Sequence, residues 1–266
     1  MYVVGIDVGS EVTKAAIVGP QGLVATARVP TEFDIDATAQ QVLQEVLKLG
    51  GLERGDLGYL VATGTGSTWV SGANHTVTEI VAVAAGANFL APEARTVMDV
   101  GAEDARAIRV GPQGQMERFA TNDQCAAGTG SFVRTAARML EVPLDEAGRL
   151  SLTATEAADM SATCVVFAET EIISQIHAKT PRENIMLAIH VSMARRLAAL
   201  VHRVGAEEVM MVCGGMGWDV GFVEALRQTL QVEHLEVPDP PDMVAAVGAA
   251  VMGVRNAQSE NRTAAL

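Results

Sequence analysis

An α/β protein of two related lobes with a ligand cleft between them is the fold class this sequence predicts. A sixteen-residue segment, residues 7–22, recurs in register 92 residues further on as residues 99–114, with ten of the sixteen positions identical. Each copy opens on an aspartate that ends an apolar strand, with Gly two places on and a cation seven places on: Asp7, Gly9 and Lys14, then Asp99, Gly101 and Arg106. Around the copies, short Val- and Ile-rich runs alternate with longer amphipathic or small-residue stretches, the pattern of strands interleaved with helices. Self-similarity at long period implies two copies of one supersecondary unit, and the space between two such lobes is the natural place for a ligand.

Taken in order, residues 2–7 read as a buried strand, residues 13–18 as a second and residues 23–29 as a third, a β-meander punctuated by Gly9-Ser10 and by Gly19-Pro20-Gln21-Gly22. An amphipathic helix follows over residues 36–49, then a strand at 59–62, a Gly-rich turn at 63–67 and a small-residue helix over 77–87. After the second meander come two cysteine segments. Cys125 sits in Asn122-Asp123-Gln124-Cys125-Ala126-Ala127-Gly128-Thr129-Gly130 ahead of a helix over 132–140, and Cys164 opens a helix running towards His177. A long helix spans about 182–204, with Pro181 suited to its first turn. A buried strand at 208–213 runs into Gly214-Gly215-Met216-Gly217, with a helix over 220–230 behind it; a short strand at 235–238 and a small-residue helix at 243–254 complete the elements. The expected domains are an N-terminal lobe at 1–95, a C-terminal lobe at 96–254 carrying the cysteine helices, and a polar tail at 255–266 that frays.

Composition narrows the function. With 266 residues, 49% hydrophobic and 19% charged, the chain can bury a full core. No apolar run reaches the roughly 18 residues that span a bilayer, and the start lacks a basic region and cleavage site, so a cytoplasmic protein without a membrane is expected. A net charge of −13, from 19 basic against 32 acidic residues, argues against nucleic acid, which calls for a basic patch. Three cysteines without a secretory signal point to reduced thiols or metal ligands rather than disulfides.

Two constellations carry chemistry. A paired Asp-x-Gly hairpin suits the β- and γ-phosphates of a nucleotide: backbone N–H groups meet the oxygens while the carboxylates hold Mg2+ through water. Asp7 and Asp99 would organise the metal. Gly9, Ser10, Thr13, Lys14 and Gly101 would meet phosphate, and Glu103 or Asp104 would orient the attacking water. Gly214 and Gly215, in a strand–glycine–helix arrangement, let a backbone approach the nucleoside closely. Cys125 and Cys164, each in a polar helix-start context, are placed to ionise, since free N–H groups and the positive helix end favour thiolate. Cys213, within Val209-Met210-Met211-Val212, reads as core.

These segments together resemble, in order, the BadF/BadG/BcrA/BcrD ATPase family. The residues that carry the likeness are Gly5 to Ser10, Thr13-Lys14-Ala15, Val77 to Ile80, Asp99-Val100-Gly101, Cys125-Ala126-Ala127-Gly128-Thr129-Gly130, Cys164 to Glu169 and Gly214-Gly215-Met216. The resemblance implies the acetate and sugar kinase/Hsp70/actin fold, ATP/ADP with Mg2+, and one [4Fe–4S] cluster shared between two subunits. It also implies a homodimer or a dimer with a related subunit, a ferredoxin or flavodoxin donor, and an acyl-CoA dehydratase or reductase component as acceptor. The count agrees, because a cubane wants four thiolates and two chains offering Cys125 and Cys164 supply four. The chain departs from the family's usual pattern at Ala102, Glu103, Ala105 and Arg106, at Gln124 and at Gly217-Trp218-Asp219. The function this implies is ATP-dependent delivery of a low-potential electron to a 2-hydroxyacyl-CoA dehydratase-type partner. The ATPase subunit of a benzoyl-CoA reductase, a small-molecule kinase of the same fold and a non-catalytic sensing module are the alternatives.

Overall fold

The computed structural model describes residues 1–122, 128–160 and 165–264, and divides into two compact units. Unit 1 comprises Met1–Ala94, Val110–Glu117 and Met243–Leu266; unit 2 comprises Arg95–Arg109 and Arg118–Asp242.

In unit 1 the expected meander is present as β1 (Tyr2–Val8), β2 (Val12–Gly19) and β3 (Gly22–Pro30), joined through β1 to the parallel strands β4 (Leu57–Thr63) and β5 (His75–Thr76). The sheet order is β3-β2-β1-β4-β5. β1 is buried from Val3 to Val8 because it lies between helix layers, which is why it reads as a continuous apolar run rather than an alternating one. Helix α1 (Ile35–Gly50) packs its Val42, Leu43, Val46 and Leu47 against β2 and β3. Asp34 caps its start by accepting from the Ala37 N–H, and Gly51 ends it at φ 64. In its first turn Asp36 accepts from the Ser71 N–H (2.8 Å) and hydroxyl (2.9 Å), which hold its carboxyl below the usual carboxylate range. Against the rest of the sheet pack α2 (Glu79–Leu90) and α8 (Val244–Ala264). These two helices meet backbone to backbone: a Cβ on Gly86 would overlap the Val244 carbonyl, and one on Gly248 the Ala82 carbonyl.

Unit 2 has a sheet of order β8-β7-β6-β9, with β6 (Thr96–Val100), β7 (Ala105–Val110), β8 (Met116–Thr121) and β9 (Met210–Cys213). Its core is helical: α3 (Gly130–Met139), α4 (Leu144–Ser151), α5 (Val165–His177), α6 (Arg182–Val204) and α7 (Val220–Leu230). Phe132, Ile172, Ile185, Met193 and Phe222 are buried together there.

Four expectations change. The last helix belongs to unit 1 rather than to a C-terminal lobe at 96–254, because its small residues pack on β1, β4 and α2. The chain after Asn256 continues as helix to Ala264 instead of fraying at once, with Ala257 buried and Arg255 donating to the Gln113 carbonyl (2.9 Å). The strand expected at 235–238 reduces to a single parallel bridge, Met211 with Glu236; Pro238, Pro240 and Pro241, without N–H donors, cannot extend it. Finally, α6 is long and apolar enough by composition to cross a membrane, with a mean hydropathy of 1.3 over its best 18 residues, yet 61% of that window is buried inside the protein as a core helix.

Candidate nucleotide site

The duplicated hairpin survives folding as a duplicated pairing. In unit 1 Asp7 lies opposite Lys14 across β1 and β2, and the Lys14 Nζ donates to Asp7 Oδ2 at 2.8 Å. In unit 2 Asp99 lies opposite Arg106 across β6 and β7, and the Arg106 guanidinium donates to Asp99 Oδ2 at 3.0 Å. The +7 spacing places the cation directly across the antiparallel pair from the aspartate, so the carboxylate is charge-compensated where it is buried.

The likeness extends to a strand that the sequence repeat does not reveal. β4 runs parallel to β1 with Thr63 in register with Asp7, and β9 runs parallel to β6 with Cys213 in register with Asp99. Each strand then turns through a glycine of positive φ, Gly64 at 86° and Gly214 at 83°. A Cβ on Gly64 would lie 2.5 Å from the Val8 carbonyl oxygen and 2.6 Å from Asp7 Oδ1. One on Gly214 would lie 2.5 Å from the Val100 carbonyl oxygen and 2.8 Å from Asp99 Oδ1. Both contact and φ require glycine. Sequence reading singled out Gly214 and passed over Gly64, because the distance from Gly64 to Gly214 is 150 residues while the hairpins repeat at 92. The signal available was local: an apolar strand ending on a small residue followed by Gly in both copies.

The other expected residues fall as follows. Ser10 is exposed at the first turn and Gly9 half-buried. Thr13 is fully buried, and its hydroxyl shares a 2.8 Å hydrogen bond with Thr31, whose own hydroxyl is 2.8 Å from the Gly9 carbonyl. Thr13 is therefore a brace behind the turn rather than a phosphate contact, and Thr31, missed in the sequence, is its partner. Glu103 is exposed at the second turn, whereas Asp104 is committed to Arg106 at 2.9 Å. A Cβ on Gly215 would meet nothing within 4 Å, so that position is open to an approaching ligand.

At the start of α7 lies a buried polar group that sequence reading did not find. His190 on α6 is wholly buried, with Nδ1 2.9 Å from Ser151 Oγ and Nε2 3.2 Å from Asp219 Oδ2. Asp219 also accepts from the Phe222 N–H (2.9 Å), capping α7.

Of the cysteines, Cys125 and Cys164 lie outside the described residues. The chain that flanks Cys125 is tied to the second hairpin on both sides: Asn122 N–H donates to the Ala105 carbonyl (2.9 Å), Gly130 N–H to that of Gly101 (2.9 Å) and Ser131 N–H to that of Ala102 (2.8 Å). Cys213 is wholly buried in a core position, with its thiol 3.8 Å from Asp99 Oδ1.

Two α/β units, each ending a buried strand on an aspartate, folding it back as a hairpin and laying a glycine turn across it, define the class of the acetate and sugar kinases, Hsp70 and actin. Within that class the chain belongs to the BadF/BadG/BcrA/BcrD ATPase family, whose model matches residues 4–253. It is 39% identical over 260 residues to the activator of lactoyl-CoA dehydratase from Anaerotignum propionicum, covering 98% of this chain and all of that one. The crystal structure of the Acidaminococcus fermentans (R)-2-hydroxyglutaryl-CoA dehydratase component A superposes with a TM-score of 0.93 at 33% identity, over 97% of this chain and 99% of that one. The activator of the 2-hydroxyisocaproyl-CoA dehydratase from Clostridium difficile with bound ADPNP superposes at 0.91, also at 33% identity, over 99% and 98%.

Proposed function

We propose that this protein is an ATP-hydrolysing electron donor that works in the cytoplasm and activates a 2-hydroxyacyl-CoA dehydratase-type enzyme. The observation that carries the nucleotide part is the repeated pairing of Asp7 with Lys14 and Asp99 with Arg106 under glycines 64 and 214. Ser10, Lys14 and the Gly9 turn would take phosphate, with the second turn approaching it at Gly101, whose own N–H donates to the Asp104 carbonyl (2.8 Å); Gly214 and Gly215 would lie along the nucleoside. Glu103, whose neighbour Asp104 is tied to Arg106, would orient the water. Mg2+ fits this donor set, because Asp7 Oδ1 is buried and without a hydrogen-bond partner.

A [4Fe–4S] cluster fits the thiols. Cys213 is spent in the core, which leaves Cys125 and Cys164, and two chains of a homodimer or related-subunit dimer would supply the four ligands. Such a group supplies one-electron chemistry when bound. The chain's own part is to hold it by the two thiolates and to tie the Cys125 segment to the phosphate hairpin through Asn122, Gly130 and Ser131. A ferredoxin or flavodoxin would be the donor, and the dehydratase component the acceptor.

Anaerobic preparation tests the reading. The parent should be brown with about two irons per chain, Cys125→Ser and Cys164→Ser should lose the colour, and Cys213→Ala should keep it. A colourless parent with sugar-dependent ATP turnover would instead assign the chain to the kinases of this fold.

A further inference from the structure

We propose that Thr63 is a metal-water residue of the unit 1 hairpin, and that the two copies of the hairpin are unequal: the Asp7 side takes the hydrated Mg2+ of the nucleotide and the Asp99 side does not. The proposal rests on the nucleotide reading above and adds to it a residue and an asymmetry.

Thr63 ends β4 in register with Asp7 on the parallel neighbour β1, which sets the two side chains on one face of the sheet. Thr63 is wholly buried and Asp7 is 3% exposed. Asp7 Oδ2 is held by Lys14 at 2.8 Å. Asp7 Oδ1 and Thr63 Oγ1 are both buried with no hydrogen-bond partner. Buried hydroxyls and carboxylate oxygens are almost always satisfied, and exceptions mark a ligand, an ion or a water. Two such atoms belong to register-paired residues beside the Gly64 backbone that closes on Asp7 Oδ1, and a molecule that can both donate and accept would satisfy them. A water of a hydrated magnesium ion donates to Oδ1 and Oγ1 and meets this demand. Mg2+ keeps several of its waters in protein sites, so binding through them needs no direct protein–metal bond.

The second hairpin shows what the same place looks like when it is closed. Cys213 stands where Thr63 stands, and its thiol points to Asp99 Oδ1 at 3.8 Å while Arg106 takes Oδ2 at 3.0 Å. A thiol is a weak donor and acceptor with a large sulfur, so it fills the place without making a water site. Arginine also leaves less for a metal than lysine does, because its fixed fork spans Asp99 and Asp104 together.

Isothermal titration calorimetry of purified protein with ADP, first in EDTA and then across a Mg2+ series, tests this. In the parent, Mg2+ should tighten ADP binding. Thr63→Val keeps the shape and removes the hydroxyl; it should raise the Mg2+ concentration for half-maximal tightening about tenfold, as expected for loss of one hydrogen bond in a charged site. Its ADP affinity in EDTA should stay within about twofold of the parent's. Its metal-free melting temperature should not fall, since an unsatisfied buried hydroxyl has become a methyl. Thr63→Ser should retain the parent's Mg2+ response, and Thr63→Cys, which copies unit 2, should behave like the valine variant. A valine variant with the parent's Mg2+ response, or a serine variant as impaired as valine, overturns the proposal while leaving the nucleotide reading intact. A parent that binds ADP under neither condition overturns both.

Discussion

Gly64 and Gly214 occupy left-handed backbone directly against a buried aspartate, and the two constraints on each can be separated by substitution. Gly51, at φ 64, ends α1 with open space where a Cβ would go, so Gly51→Ala meets strain alone, about 1 kcal/mol. Gly64→Ala and Gly214→Ala meet the same strain and in addition drive a methyl to 2.5 Å from a carbonyl oxygen at the end of β1 or β6. Each should lose about 2–4 kcal/mol in denaturant unfolding and weaken ADP binding, because the displaced strand end carries the aspartate. Losses equal to that of Gly51→Ala would mean that the turns relax freely and do not set the carboxylates. Lys14 and Arg106 show the residue-scale limit on the repeat. Both answer an aspartate across the hairpin, and the arginine's fork also reaches Asp104, so the same backbone pairing carries side chains of unlike geometry.

At the scale of elements, the sequence is legible wherever a local stop or start signal is chemical. The bounds of α6 follow from Pro181 ahead of it, and those of α7 from Asp219 at its cap, so both helices run as the sequence predicts. The two meanders are legible for a different reason, since their apolar runs and turn residues recur at fixed spacing. What is not legible depends on packing across long separations. The destination of α8 is fixed by its Gly248 meeting Ala82 on α2, and the equivalence of β4 with β9 by pairings that no single spacing records. The Ser151–His190–Asp219 group is of the same kind: three residues on α4, α6 and the cap of α7 that become neighbours only in the fold. It links α4, α6 and the start of α7. His190→Leu removes the hydrogen-bond partner of Ser151 and the imidazole 3.2 Å from Asp219, both in low-exposure positions, and should cost about 1–3 kcal/mol in unfolding free energy. The magnesium response of ADP binding should be unchanged, because nothing at Asp7 or Thr63 is touched. A leucine variant as stable as the parent would show that the group is incidental to the packing of α4, α6 and α7.

For the molecule as a whole, the proposed function requires that nucleotide occupancy be felt at the proposed electron carrier, and unit 2 supplies a short hydrogen-bonded route. The hairpin whose turn would approach phosphate also accepts hydrogen bonds from Gly130 and Ser131 on one flank of the Cys125 segment and, through Ala105, from Asn122 on the other. Whatever moves the hairpin moves both ends of that segment. Nucleotide exchange should therefore shift the midpoint potential, and a shift of about 100 mV for one electron corresponds to roughly 2.3 kcal/mol, within the ~1–3 kcal/mol usual for coupled sites. Linkage is reciprocal, so reduction must change nucleotide affinity by the matching factor, about fiftyfold for that shift. Anaerobic redox titrations with ADP and then with a non-hydrolysable ATP analogue, paired with nucleotide titrations of oxidised and reduced protein, should return the same coupling energy from both ends. Ser131→Pro separates this route from a general effect. It deletes the one N–H that binds Ala102 in the first turn of α3, where proline is tolerated, and should keep iron content while shrinking the shift. Midpoints that superimpose for both nucleotides in the parent would leave the hairpin uncoupled from the carrier. A shift of undiminished size in the proline variant would place the coupling outside the Ser131 contact.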